Sequence, residues 1–230
     1  MRPVPDCGVL AQAIGSFLPA AAAIALSPIP IVAVVLVLDS DRARVNGPAF
    51  AAGWVAGLAV ASVVVVVVAS GASDPHSDVS TGVNWVMAVI GVAFLVMAGR
   101  QWRKRPKPGE TAAMPKWMAS VGSISVGRAA GLGVALSALN PKNLALTLAA
   151  SASIAEAGLG KGDTAVAVAV FVAIGSLTVL GAVGFAVILP RQAKQPLGAV
   201  QEFMAANNAT IMMVILLLLG VKILGDALGR

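Results

Sequence analysis

Two proline-containing stretches interrupt long apolar runs and carry the residues best suited to chemistry. They are Ser27-Pro28-Ile29-Pro30 and Asn140-Pro141-Lys142-Asn143. Proline lacks a backbone N–H and clashes with the preceding turn, so a helix breaks or kinks there. The half-helix after a break exposes N–H groups at the positive end of its dipole, which favours an anion. Lys142 adds a cationic group, so the two stretches together predict a site for phosphate, sulfate or carboxylate. The candidate substrate-binding residues are Ser27, Pro28, Pro30, Asn140, Pro141, Lys142 and Asn143.

A purely mechanical role for these stretches stays open. The prolines can act as kinks alone, and Lys142 lies only about 14 residues from the start of its apolar run. A lysine at that depth can extend its side chain to the membrane surface. No carboxylate lies centrally in an apolar run, because Asp39 and Glu156 are at run ends. This pattern disfavours Na⁺ or H⁺ transport by a buried acidic pair.

The composition predicts an all-α polytopic membrane protein. Of 230 residues, 58% are hydrophobic and 11% are charged, against about 25% charged in soluble domains. Mean hydropathy is +0.91, and several apolar runs approach the roughly 20 residues that span a bilayer. The net charge of +6 does not imply a nucleic acid partner, because Lys and Arg in a membrane protein first report orientation.

The apolar runs predict six transmembrane helices in two inverted three-helix repeats. Helices 1 and 4 are overlong and are broken at Pro28/Pro30 and at Pro141. An offset of 113 residues aligns Ala25-Leu26-Ser27-Pro28 with Ala138-Leu139-Asn140-Pro141. Three spans per repeat is an odd number, so the second repeat is inverted, as in carriers that hold substrate between their halves. The predicted spans cover about 8–38, 48–70, 81–99, 128–156, 164–189 and 209–224. The predicted units are 1–99 (first repeat), 100–126 (basic cytoplasmic loop) and 127–230 (second repeat).

The basic residues predict the orientation. With six spans, eleven Lys and Arg side chains fall on one side of the membrane and four on the other. The positive-inside rule makes the side with more Lys and Arg cytoplasmic. In the cytoplasmic membrane both termini are then predicted to lie on the extracytoplasmic side. The basic loop either attracts anionic lipid head groups or only sets the topology.

Two further groups of residues have predicted roles. The charged segment Asp39, Asp41, Arg42 and Arg44 follows the first span; it can gate the cytoplasmic entrance through ion pairs, or it can be a solvated loop. Gly53 and Gly57 form a small-xxx-small pair that permits close helix approach, and Gly175 is the repeat counterpart of Gly57. The single histidine, His76, lies in a loop. No Ser/His/Asp set, metal-ligand spacing or carboxylate pair is present, so no enzyme activity, metal or cofactor is predicted.

Three segments together resemble a known family. They are Ala-Leu-Ser-Pro-Ile-Pro at 25–30, Asp-Arg-Ala-Arg-Val-Asn-Gly-Pro-Ala-Phe-Ala-Ala-Gly-Trp at 41–54, and Leu-Asn-Pro-Lys-Asn-Leu at 139–144. The chain resembles the actinobacterial peptidoglycolipid-addressing family, which includes sulfolipid-addressing proteins and is placed in the lysine-exporter superfamily. The resemblance implies six spans in two inverted triplets and a role in moving glycolipids to the outer envelope. It also singles out Asn46, which we add to the candidate gating residues, and Trp54, which we add to the candidate packing residues.

These observations leave three functions open. The first is a transporter that exports or flips an anionic lipid or glycolipid, with membrane lipids around it. The second is an exporter of a small solute such as an amino acid or a cation. The third is a scaffold for lipid export. A homo-oligomer or a partner from envelope lipid synthesis is a further expectation.

Overall fold

The computed structural model describes residues 7–71, 79–103 and 124–228. Within these ranges every regular element is a helix and no strand is present. A short π-helical segment, Ala135–Leu139, continues α5. The helices are α1 (Cys7–Ala25), α2 (Pro28–Leu38), α3 (Ala43–Gly71), α4 (Val79–Arg103), α5 (Val126–Val134), α6 (Pro141–Glu156), α7 (Lys161–Ile188) and α8 (Pro190–Leu228).

Four helices in the described ranges are long and apolar enough to cross a bilayer. They are Gly8–Ala25, Ala43–Ser70, Lys161–Ile188 and Pro190–Leu228. Two shorter apolar helices, Pro28–Leu38 and Val126–Leu139, accompany them. The predicted class, an all-α membrane protein, is therefore confirmed.

The last helix is longer than its predicted span. Residues 209–224 occupy only its second half, because α8 starts at Pro190 and has 39 residues. At 1.5 Å per residue it is roughly 58 Å long, well beyond the hydrocarbon thickness of about 30 Å. Pro190 fits the first helical position, where a missing N–H costs nothing, and Pro196 lies in the second turn without ending the helix. The polar residues that suggested a connection are therefore a helical extension.

The core lies where the helices α1, α3 and α4 meet the helices α5 to α8. The helix α1 packs on α6 and α7, α3 packs on α5, α6 and α7, and α4 packs on α8. Phe17 and Phe171 meet edge to face with ring centroids 5.7 Å apart. Trp54 and Leu146 are also completely buried. The segments before and after the two proline stretches thus belong to one continuous core.

The backbones of α3 and α5 approach each other very closely. A Cβ atom on Gly53 would collide with the backbone carbonyl oxygen of Ala130, and a Cβ on Gly133 would collide with that of Phe50. Small residues at such a crossing allow helices to pack backbone against backbone. This contact fixes the helix that leads into the second proline stretch.

Candidate functional site at the paired helix breaks

The first break separates α1 from α2. The helix α1 ends at Ala25 and α2 begins at Pro28. Between them Ser27 is extended, with φ −71° and ψ 117°, and its side chain makes no capping hydrogen bond. Because the chain leaves the helix here, carbonyl groups in the last turn of α1 lose their intrahelical donors. Pro30 lies in the first turn of α2, where the lost N–H would have had no partner in any case.

The second break separates the π-helical segment from α6 and has nearly the same backbone shape. Asn140 has φ −68° and ψ 119°, and α6 begins at Pro141. The Asn140 side-chain oxygen accepts a hydrogen bond from the Lys142 backbone N–H at 3.1 Å. The Asn143 amide donates to the Leu136 carbonyl at 2.8 Å. This break is therefore capped by its own side chains.

Two side chains from the second part of the chain cap the first break. The side-chain nitrogen of Lys142 donates to the Ala23 carbonyl at 2.9 Å, and the Thr178 hydroxyl donates to the Ala25 carbonyl. These carbonyls lie at the C-terminal end of α1, which carries partial negative charge. Lys142 is only 4% exposed. A direct hydrogen bond thus joins one break to the other across the core.

The predicted substrate-binding residues lie at these two breaks, mostly out of solvent. Ser27, Pro28, Pro30, Lys142 and Asn143 are buried. Asn140 is half-buried and Pro141 is exposed. In the present conformation the Lys142 amino group contacts a backbone carbonyl, so an anion reaching it must compete with the carbonyl of Ala23.

A polar stripe runs along α6 from the second break. Asn143, Thr147 and Ser151 are spaced by four residues, share one helical face and are completely buried. Each has a side-chain oxygen without a hydrogen-bond partner in the described part of the chain. A buried unpaired polar group costs about 1–3 kcal/mol, so the stripe marks a place suited to water or a polar ligand. The four-residue spacing was the sequence signal for it, and the sequence analysis missed it.

The charged segment after the first span divides in the structure. Asp39 and Arg44 line a cavity of about 420 Å³ together with Lys194 of α8. The Lys194 nitrogen lies 3.5 Å from an Asp39 carboxylate oxygen. Asp41 and Arg42 are exposed and do not line this cavity. The sequence analysis did not connect Lys194 with the segment, because the two are distant along the chain.

Asn46 has a different environment from its charged neighbours. It is completely buried and its amide donates to the Ser40 hydroxyl at 3.3 Å and to the Ile124 carbonyl at 2.9 Å. The contact with Ile124 joins the start of α3 to the segment just before α5. Asn46 therefore fixes two helix ends relative to each other.

The predicted packing residues lie on buried surfaces of α3 and α7. Next to Gly53, Trp54 is completely buried and its indole nitrogen has no partner in the described ranges. A Cβ on Gly57 would meet the Ser137 hydroxyl. A Cβ on Gly175 would lie 3.0 Å from a Leu58 methyl, so α3 and α7 are also close.

An apolar groove of about 660 Å³ lies between α3 and α7. Valine and alanine side chains dominate its lining, including the exposed Val63 and Val67 of α3. Lys161 and Thr164, in the first turn of α7, lie at one end of it. Its apolar lining is compatible with an acyl chain.

Part of the predicted basic loop lies outside the described residues. Arg100 and Arg103 are in the last turn of α4, whereas 104–123 and His76 fall outside the described ranges. Within those ranges no group of three or more His, Cys, Asp or Glu side chains could hold a metal ion.

The fold and the breaks define a helical membrane protein with a polar, interrupted core. Over residues 17–229 the chain matches the model of the family described as SfLAP, Sap, sulfolipid-1-addressing protein. The chain belongs to this sulfolipid-1-addressing protein family, as its motifs predicted, and the family is associated with lipid addressing at a membrane. Its placement in the lysine-exporter superfamily stays a prediction. Comparison with curated proteins and with solved structures gives no match.

Proposed function

We propose that this protein exports or flips an anionic lipid or glycolipid across the cytoplasmic membrane toward the envelope. The observation that carries the proposal is the hydrogen bond between Lys142 and the Ala23 carbonyl. It joins two half-helix breaks inside a membrane protein, and paired broken helices are typical of transporter binding sites. Membership of a lipid-addressing family supports a lipid as the cargo.

The proposed mechanism uses two inverted repeats that move against each other. The equivalent backbone angles at Ser27 and Asn140 support the repeat. The packing also supports it, because α3 contacts α5 while α7 contacts α1, and α4 contacts α8. In this arrangement α1–α2 and α5–α6 are the broken spans of a six-span protein. Movement of one repeat would break the caps on α1 and expose Lys142 to an anionic head group.

The proposed site takes an anion more readily than a cation. Lys142 is the one buried ionisable side chain in the described ranges, and no Asp or Glu is buried there. A cationic solute would need a buried carboxylate to compensate its charge. This disfavours the alternative of a basic amino acid or cation exporter. Acyl chains can remain in the apolar groove or in bilayer lipid, so only the head group needs polar contacts.

The orientation in the membrane is part of the proposal. One end of the molecule, which contains the 420 Å³ cavity, is rich in basic residues. The cavity is lined by Arg44 and Lys194, and Arg42 and Arg191 lie close to them along the chain. Placing this basic end on the cytoplasmic side satisfies the positive-inside rule and puts both termini outside. We assign no enzyme activity and no cofactor to the protein. A second copy or an envelope lipid-synthesis partner remains compatible with this arrangement.

A transport assay in membrane vesicles tests the proposal. Inverted vesicles from cells that produce the protein are supplied with ATP and NADH, so that nucleotide-driven and gradient-driven transport are both supported. Fluorescent phosphatidylglycerol is added to the outer leaflet, and protection from dithionite is followed over time. We expect faster protection than in vesicles without the protein, and no difference for fluorescent phosphatidylcholine. Equal rates for phosphatidylglycerol with and without the protein, or transport of labelled lysine instead, would contradict the proposal.

A further inference from the structure

A cavity at the basic end of the molecule has the composition of a lipid head-group site. It lies where the end of α2, the start of α3, the end of α7 and the start of α8 meet, and its volume is about 420 Å³. Val35, Leu38, Val187 and Leu197 form apolar parts of its wall. Asp39, Arg44 and Lys194 add the charged groups. The lining therefore suits a molecule that is polar at one end and apolar at the other.

The charges around the cavity favour an anion. Arg44 and Lys194 are cationic, and Asp39 is the one acidic residue among the described residues that line the cavity. The helices α3 and α8 both begin here, at Ala43 and Pro190, and helix starts carry partial positive charge. Arg44 forms no ion pair within the described ranges. One cation is thus available to a ligand without breaking any existing pair.

The pair between Asp39 and Lys194 is weak enough to be displaced. Its atoms are 3.5 Å apart, and the side chains are 64% and 81% exposed. Exposed ion pairs of this kind contribute little to stability, because solvent screens their attraction. A phosphate or sulfate that is bound between Arg44 and Lys194 can therefore replace the Asp39 carboxylate. Asp39 then acts as a resident anion that holds the site until a ligand arrives.

We propose that this cavity binds the phosphate or sulfate head group of an anionic lipid from the adjacent leaflet. The proposal rests on the proposed function for its orientation, and it names a first binding site away from the helix breaks. The cavity is adjacent to the far end of α2, whose other end is Pro28 at the first break. Because α2 has only 11 residues, a head group that contacts its end is one short helix away from the caps on α1.

Lipid binding is measured by native mass spectrometry of the whole protein. The protein is released from vesicles of phosphatidylcholine with increasing fractions of phosphatidylglycerol, and retained lipids are counted by mass. We expect the wild type to retain phosphatidylglycerol in preference to phosphatidylcholine. Arg44→Gln and Lys194→Gln should each lower this retention at least about tenfold, since a hydrogen bond to a charged group contributes about 1.5–3 kcal/mol.

Two further variants make the test specific. Asp39→Asn should raise phosphatidylglycerol retention, because it removes the competing carboxylate while it leaves Arg44 and Lys194 in place. Arg191→Gln is the matched control: Arg191 lies in the first turn of α8 near Lys194 but does not line the cavity, so retention should stay at the wild-type level. All four substitutions are at exposed positions, and unchanged thermal midpoints will show that the fold is intact.

Three results would overturn the site. One is equal loss of retention in Arg191→Gln and Lys194→Gln, which would mean general surface attraction. Another is loss of retention in Asp39→Asn. The third is inorganic phosphate displacing the lipid at equal concentration, which would assign the cavity to the free anion. If the binding series behaves as expected while vesicles show no lipid transport, then the head-group site stands and the transport proposal fails.

Discussion

The two helix breaks have almost the same backbone angles, but different parts of the chain satisfy their hydrogen bonds. The second break is capped locally, by Asn140 and Asn143. The first break has no side-chain cap of its own, and its freed carbonyls accept from Lys142 and Thr178. The helix before the second break is also held backbone to backbone against α3 through Gly53.

The two breaks therefore differ in what their caps depend on: local residues at the second break, and packing of other helices at the first. The caps of the second break come from its own segment, so they do not depend on contacts with other helices. The first break keeps its caps only while α6 and α7 stay against α1. Since buried carbonyls without donors are costly, the end of α1 is the part whose environment changes most if the two halves move. The following substitutions test this asymmetry, from the largest expected effect to the smallest.

The largest expected effect is loss of the support behind the second break. In Gly53→Ala the new methyl group meets the Ala130 backbone, which cannot rotate away. Overpacking costs typically about 1–3 kcal/mol, and we expect the upper part of that range as a lowered thermal midpoint in detergent. The control is Gly131→Ala on α5, where no atom from elsewhere in the described ranges lies within 4 Å of the new Cβ; it should be slightly stabilising, by about 0.5–1 kcal/mol. A wild-type midpoint for Gly53→Ala would contradict the close contact.

An intermediate effect is expected from removing one cap on the first break. Thr178→Val keeps the shape of the side chain but leaves the Ala25 carbonyl without its donor, at a cost of about 1–3 kcal/mol. The matched control is Thr210→Val on α8. Thr210 is exposed, so its replacement should change the free energy of unfolding by less than about 0.5 kcal/mol. Equal destabilisation by the two valine substitutions, followed by thermal unfolding, would remove the proposed role of Thr178.

The smallest effect compares the equivalent residues Asn140 and Ser27. Asn140→Ala loses a capping hydrogen bond at the start of α6 and should cost about 1 kcal/mol. Ser27→Ala loses no such bond, so it should lower the free energy of unfolding by only about 0.3 kcal/mol. Thermal midpoints of the two variants, measured side by side, give the comparison. If Ser27→Ala were the more destabilising change, the two breaks would not differ in the way described.

The sequence was sufficient for the class of fold and for the position of both breaks. Proline acts on its own backbone and on the preceding turn, so its effect can be read locally at Pro28 and Pro141. The family membership was predictable for a similar reason, because its motifs are short and contiguous. The close contact behind the second break depends on which residues face Gly53, and only the structure supplies Ala130.

The caps on the first break could not be predicted, because they depend on tertiary contacts. Nothing in the sequence pairs Lys142 with a carbonyl more than a hundred residues earlier, or Thr178 with Ala25. The cavity beside Asp39 has the same explanation, since Lys194 reaches it from a different helix. The continuous α8 was missed because its polar first half suggested a connection, whereas the backbone can remain helical through Pro196.

The central claim is that Lys142 couples the two breaks during lipid movement. The direct measurement is the rate at which fluorescent phosphatidylglycerol crosses energised inverted vesicles that contain Lys142→Met. The control on the same helix is Ser153→Ala, because Ser153 lies outside the polar stripe and its hydroxyl donates to the Ala149 carbonyl within α6. Methionine keeps most of the side-chain volume but cannot donate to the Ala23 carbonyl or to an anionic head group. We predict a fall of at least about tenfold for Lys142→Met, the equivalent of 1.4 kcal/mol or more, and a wild-type rate for the control. A wild-type rate for Lys142→Met at equal protein content would contradict the claim.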